Sequence, residues 1–145
     1  MWWRGAERLS EDDDMTYQGV RADVLRSIVS PCDHEHTIET KEFTLLGRPA
    51  QPDFGHLSLS LDIEEGADAP ELKSVKAYLA QYRECIISYE RAAGLIRDHF
   101  MEVYNPRNVD LTLTFEARGG IKSTIIVSEW NEHLPHAGDE IDIKV

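Results

Sequence analysis

An α+β fold with one antiparallel sheet and two helices is what this chain of 145 residues predicts, and three observations carry it. Leu57, Leu59, Leu61 and Ile63 alternate with His56, Ser58, Ser60 and Asp62, and Val109, Leu111, Leu113 and Phe115 alternate with Asp110, Thr112, Thr114 and Glu116. A period of two marks strands with one buried face. Between these stretches the period changes: Leu72, Val75, Leu79, Tyr82 and Ile86, then Tyr89, Ala93, Ile96, Phe100 and Val103, follow helical spacing. The Gly119-Gly120 pair supplies a hairpin turn after the third strand. The order strand, strand, helix, helix, strand, strand therefore predicts a four-stranded antiparallel sheet with both helices on one face.

Residues 1–15 hold Glu7, Glu11, Asp12, Asp13 and Asp14 without an apolar period and read as a disordered tail, with Met15 an alternative start; residues 16–145 read as one domain. Val20, Val24, Leu25 and Ile28 suggest a short helix or ordered arm around Ala22–Ser27, ended by Pro31. The first strand is expected over Thr37–Leu45, rich in β-branched and aromatic residues, and the second over His56–Ile63. Residues 64–70 read as a polar loop. Pro70 and Glu71 suit a helix start, and that helix is expected to run to about Ile87. Ser88 is the expected N-cap of the second helix, although Arg91 stands where a capping box has an acid, and Asn105-Pro106 ends it. Ile121, Ile125 and Val127 mark the fourth strand, and Ile141, Ile143 and Val145 a last edge strand. The outer sheet face carries Ser58, Ser60, Thr112 and Thr114, and its free edges predict a homo-oligomer that closes strand edges into a barrel.

A net charge of -12, from 27 acids against 15 bases, argues against broad contact with nucleic acid but leaves room for a local basic cluster. No apolar run has the length of a membrane span and the N-terminus lacks a secretory core, so a cytoplasmic location is expected. Cys32 and Cys85 do not suggest a disulfide framework.

The chemistry concentrates on Glu42–Gly55, where a Gly/Pro-rich loop joins two strands. Gly47, Pro49, Pro52 and Gly55 fix the backbone around polar Arg48, Gln51 and Asp53, while Phe43, Leu45, Leu46 and Phe54 can bury it. Glu42-Phe43-Thr44 and Gln51-Pro52-Asp53-Phe54, with Glu71-Leu72-Lys73-Ser74-Val75-Lys76-Ala77-Tyr78-Leu79, Glu90, and Arg118-Gly119-Gly120-Ile121, resemble the spaced motifs of the 7-cyano-7-deazaguanine reductases, nitrile reductases of queuosine biosynthesis with the tunnelling fold. The resemblance spans Glu42 to about Ile121.

The resemblance implies NADPH-dependent reduction of a nitrile to an aminomethyl group on a deazapurine, within a homo-oligomer whose pocket lies at a subunit boundary. It implies Asp53 as general acid, Glu90, Ser74 and Glu71 as substrate contacts, and Lys73, Arg118 and Gly119 as cofactor contacts. Gly47 stands where the family has its nucleophilic Cys, Tyr89 where it has a His, and Leu72 where it has a Ser. Two alternatives stay open: a relative acting on the same nitrile without hydride, like the archaeosine-forming amidinotransferases, and a non-catalytic deazapurine- or pterin-binding or partner subunit.

Each residue also has a plainer reading. Asp53 suits a turn accepting backbone N–H bonds, Glu90 an exposed helical acid, and Lys73 and Lys76 solvated helix charges; Arg118 can simply solvate its turn. As a fork acceptor, Glu90 matches the paired N–H groups of a guanine-like edge. Cys32, His34 and His36 have zinc-ligand chemistry, but alternate residues of one extended segment rarely angle three ligands onto one ion, so no metal is assigned. Cys32 is also a candidate replacement for the thiol missing at Gly47, and Cys85 suits buried helix packing.

Overall fold

The alternating leucines form the centre of one sheet in the computed structural model, which describes residues 19–47 and 51–132. The elements are β1 (Ser27–Val29), β2 (His34–Gly47), β3 (Gln51–Ile63), β4 (Asp68–Pro70), α1 (Leu72–Ala80), α2 (Tyr89–Tyr104), β5 (Asn108–Arg118) and β6 (Ile121–Trp130). β2, β3, β5 and β6 pair antiparallel in that order. Leu57, Leu59, Leu61 and Ile63 of β3 and Val109, Leu111, Leu113 and Phe115 of β5 are buried with Val75, Tyr78, Tyr82, Ala92, Ile96 and Phe100 in one core. Both helices thus cover the same face, as the periods require. The other face carries hydroxyls that pair across strands, Thr37 with Ser60 at 2.8 Å and Thr114 with Thr124 at 3.3 Å.

Local chemistry explains where the helices start. The Glu71 side chain caps α1, accepting from the backbone N–H groups of Lys73 and Ser74 at 2.9 and 3.0 Å. Ser88 caps α2 by accepting from the Arg91 N–H at 3.1 Å, the role its sequence position predicts. Asn105 closes α2 in the left-handed region, with φ of 45°, ahead of Pro106. Between the helices, the Tyr78 hydroxyl bridges the Tyr82 hydroxyl at 2.8 Å and His99 Nδ1 at 2.6 Å.

Five boundaries differ from the sequence reading, and the first lies at the centre of the motif region: most of Glu42–Gly55, read as a loop, is strand, because β2 runs on to Gly47 and β3 begins at Gln51 rather than His56 in a continuous antiparallel register that the Gly and Pro residues do not break. The segment read as a helix at Ala22–Ser27 is a single 3-10 turn, Ala22–Val24, followed by β1; β1 pairs antiparallel with β4, inside the stretch read as a polar loop. Three-residue strands carry no readable period. The first strand begins earlier, at His34, so two of the three candidate zinc ligands lie within β2. The first helix ends at Ala80 and tightens into a 3-10 turn, Gln81–Glu84, well short of Ile87. Tertiary hydrogen bonds take over there: Leu46 N–H donates to the Cys85 carbonyl and Ile87 N–H to the Leu46 carbonyl, which makes residues 85–87 a short parallel partner of β2. The expected tail at 1–15 and edge strand at 141–145 lie outside the described residues. No helix among the described residues is long and apolar enough to cross a membrane.

Two bulges set the site. β2 passes from Thr40 opposite Leu57 to Phe43 opposite Gly55, one residue more than its partner, and β5 passes from Phe115 opposite Ser123 to Arg118 opposite Ile121 in the same way. An extra residue exchanges the faces beyond it. Phe43, Leu45 and Gly47 thereby turn to the helix-covered face, and Arg118 turns to it as well. Gly119 and Gly120, at φ of 60° and 82°, then form the hairpin turn.

Candidate functional site

Asp53 sits on β3 opposite Leu45, diagonally beside Gly47, on the face to which both bulges direct their residues. It is 8% exposed, and its Oδ1 accepts from Arg118 Nη1 at 2.7 Å. Oδ2 is buried without a hydrogen-bond partner. The Asp53–Arg118 pair occupies the place of a residue-47 side chain: a Cβ on Gly47 would lie 2.2 Å from Oδ2 and 3.0 Å from Arg118 Nη1. Only a glycine fits this arrangement as it stands.

The start of α2 completes the pocket. Ile87, Ser88, Tyr89 and Glu90 line it with Gly47, Asp53 and Arg118, around a volume of about 260 Å³. Tyr89 stacks on Phe115, with centroids 3.8 Å apart and planes 7° from parallel, so its ring is fixed. Burial, then the neighbouring Asp53 carboxylate, raises the Tyr89 hydroxyl above its ordinary pKa, while Arg118 works in the opposite direction. Tyr89 is thus a protonated O–H donor at neutral pH. Glu90 is exposed on the rim. The pocket offers two carboxylates, a phenol and a guanidinium, a set suited to a planar ligand rich in N–H groups.

Of the sequence-selected residues, the structure brings Asp53, Glu90 and Arg118 together. Gly119 lies beside them in the hairpin turn, where its positive φ has a purely conformational reason. Glu71, Lys73 and Ser74 are elsewhere in the chain. Glu71 caps α1; Ser74 Oγ donates to the Glu71 carbonyl at 2.7 Å and accepts from the Arg26 N–H at 2.9 Å, while the Tyr104 hydroxyl donates to the Arg26 carbonyl. These groups mark the C-terminal end of α2 and Glu90 its N-terminal end, so the two sets are roughly 20 Å apart at 1.5 Å per helical residue.

No thiol reaches the pocket among the described residues. Cys32 precedes β2 and Gly47 ends it, a separation of roughly 50 Å along an extended strand. That corrects the idea that Cys32 replaces the nucleophile within one chain. Cys85 is buried, its thiol raised by that burial and by Glu84, and its Sγ donates to the Gln81 carbonyl at 3.4 Å. Nor do three His, Cys, Asp or Glu side chains gather as a metal site among the described residues. His34 Nδ1 instead lies 2.9 Å from the Cys32 carbonyl and 3.1 Å from Ser30 Oγ.

The Asp53–Arg118 pair escaped the sequence reading, which gave the two residues separate roles 65 positions apart in sequence. Tyr89 reads in the sequence as the first apolar-stripe residue of the second helix and as a departure from the family His; its position beside Glu90 at the mouth of that helix was the available signal.

Comparison with known proteins gives a consistent result. A family model described as QueF-like protein matches residues 52–133. The NADPH-dependent 7-cyano-7-deazaguanine reductase of Chlorobium phaeobacteroides (strain BS1) is 35% identical over 99 residues, covering 66% of this chain and 82% of the relative. The protein of the same name from Magnetococcus marinus (strain ATCC BAA-1437 / JCM 17883 / MC-1) is 31% identical over 118 residues, covering 79% of this chain and 91% of the relative. In structure, the archaeosine synthase QueF-Like in the apo form superposes with a TM-score of 0.59 at 17% identity, over 65% of this chain and 91% of that one, a likeness of fold. With the four-stranded sheet, its two helices and the matched segment in agreement, the chain belongs to the QueF-like protein family and has its tunnelling fold.

Proposed function

We propose that this chain binds a deazapurine, or a closely related pterin, non-covalently in the pocket of Asp53, Tyr89, Glu90 and Arg118, as a QueF-like protein without the thiol route to a nitrile. One observation carries the reading: the pocket keeps its carboxylates and stacked tyrosine, while the Asp53–Arg118 pair stands in the place of the residue-47 side chain. A thioimide requires a sulfur that forms a bond to the nitrile carbon. Glycine provides none. Glu90 accepts the paired N–H groups of the ring edge, and the Tyr89 hydroxyl donates beside it.

The relatives' NADPH dependence sets a test of fit. Lys73 stands near the far end of α2, and Arg118 is engaged by Asp53, so within one chain these cations do not form a phosphate cradle. In this reading Glu71, Lys73 and Ser74 meet the pocket only across a subunit boundary, and β2 and β6, the outer strands of the four-stranded sheet, are the natural joint for a homo-oligomer.

Calorimetric titration with 7-cyano-7-deazaguanine, with and without NADPH, tests the reading. Saturable binding that is lost in Glu90→Ala, without NADPH oxidation, supports it. Steady NADPH oxidation on addition of the nitrile would favour the reductase reading, and unchanged affinity in Glu90→Ala would remove the ring contact.

A further inference from the structure

We propose that His34 and His36, alternate residues on one face of β2, form a two-imidazole site for a divalent transition-metal ion of the zinc, nickel or copper class. The site lies at the opposite end of β2 from Gly47 and does not rest on the deazapurine reading. His34 stands opposite Ile63 and His36 opposite Leu61, both core positions, so both imidazoles project from the helix-covered face, and both are half-buried. Residues two apart on a strand have Cα atoms roughly 6.7 Å apart. The two ring centroids lie 6.0 Å apart, with planes 44° from parallel.

Hydrogen bonds decide which nitrogen is on offer. His34 Nδ1 lies 2.9 Å from the Cys32 carbonyl, and a carbonyl only accepts, so Nδ1 carries the hydrogen and donates. Ser30 Oγ donates to the same carbonyl at 2.7 Å and lies 3.1 Å from Nδ1, which holds the ring from a second side. Nε2 of the neutral ring is left with its lone pair. Metal-binding histidines share this arrangement: the nitrogen away from the ion donates to a carbonyl or carboxylate, which fixes tautomer and orientation. No hydrogen bond among the described residues holds the His36 ring, so it is able to turn toward its neighbour. The turn is small, because two imidazoles on one tetrahedral ion, at about 2.0–2.1 Å from metal to nitrogen, have centroids roughly 5 Å apart. Neutral imidazoles suit transition ions, whereas Mg²⁺ requires oxygen donors. With two protein ligands, water completes the coordination and the ion exchanges.

The test is calorimetry on the untagged full chain with Zn²⁺, Ni²⁺ and Mg²⁺ in turn. Zn²⁺ and Ni²⁺ are expected to bind at one ion per chain and Mg²⁺ not at all. Loss of a ligand in His36→Gln should weaken Zn²⁺ at least about tenfold, the smallest loss usual when even a supporting hydrogen bond of a metal site is removed. Nitrogen NMR of the histidine rings in the wild type gives a readout that needs no variant: Zn²⁺ should shift His34 and His36 together, with His34 Nδ1 still protonated. No Zn²⁺ binding, undiminished binding in His36→Gln, or shifts confined to other histidines would each overturn the proposal.

Discussion

Gly47 concentrates the account at the scale of a residue. Its missing side chain gives Asp53 and Arg118 the room to pair and, in the proposed reading, leaves no thiol for a covalent route. These two consequences are inseparable, because a Cβ at 47 overlaps Oδ2. Gly47→Ala should therefore destabilise the fold by about 1–3 kcal/mol, the usual penalty for overpacking, read as a lower denaturation midpoint. Unchanged stability would mean that Asp53 moves aside freely. The candidate residues were half legible in sequence: Asp53, Glu90 and Arg118 lie in motifs, and they do converge. Glu71 and Ser74 were selected by the same motifs, yet in one chain their polar groups are spent on capping α1 and anchoring Arg26. A motif records residue types in order and does not record which hydrogen bonds the backbone claims first.

Bulges and caps decide matters at the scale of an element. Without the extra residue in β5, Arg118 would face away from Asp53, so deleting Glu116 should keep the sheet while abolishing ligand binding, measured by circular dichroism alongside calorimetry. Retained affinity in that variant would show that the bulge does not position Arg118. The helices carry a second prediction. His99 Nδ1 is hydrogen-bonded to the Tyr78 hydroxyl between α1 and α2, and its burial lowers its pKa from 6.5, against an opposing pull from Glu102 and Asp98. The unfolded chain then binds the proton more readily than the folded one, so this contribution is complete above pH 6.5 and is lost as pH falls from 6.5 through the lower folded value. His36, also lowered by burial and by His34, acts in the same direction. Urea midpoints should fall between pH 7.5 and 5.5, and His99→Asn should flatten part of that slope.

The alternation on β3 and β5 made those strands legible because each has one face in the core, and Ser88 was legible because its cap is local. The two bulges, the short β1–β4 pair and the early end of α1 were not. Each depends on a partner distant in sequence: Gly55 opposite Phe43, Pro70 opposite Ser27, and Leu46 bonded to residues 85 and 87. Periodicity reports burial along one segment and is silent on pairing between segments.

At the scale of the molecule, the described residues form a four-stranded sheet with β2 and β6 as its outer strands, and Ile126 and Trp130 of β6 are exposed. Edge strands of this kind can take further strands, so light scattering should find an assembly several times the mass of one chain; a monomer at working concentration would contradict the shared site. The acidic surface, at a net charge of -12, fits a small-molecule site better than a nucleic-acid face. The proposed function requires a pocket that binds its ligand without a covalent bond. Its most direct test is the intact mass of the protein after incubation with 7-cyano-7-deazaguanine at a concentration that saturates binding. The mass is expected to stay unchanged, whereas an increase by the mass of the nitrile would show a covalent adduct and overturn the non-covalent reading.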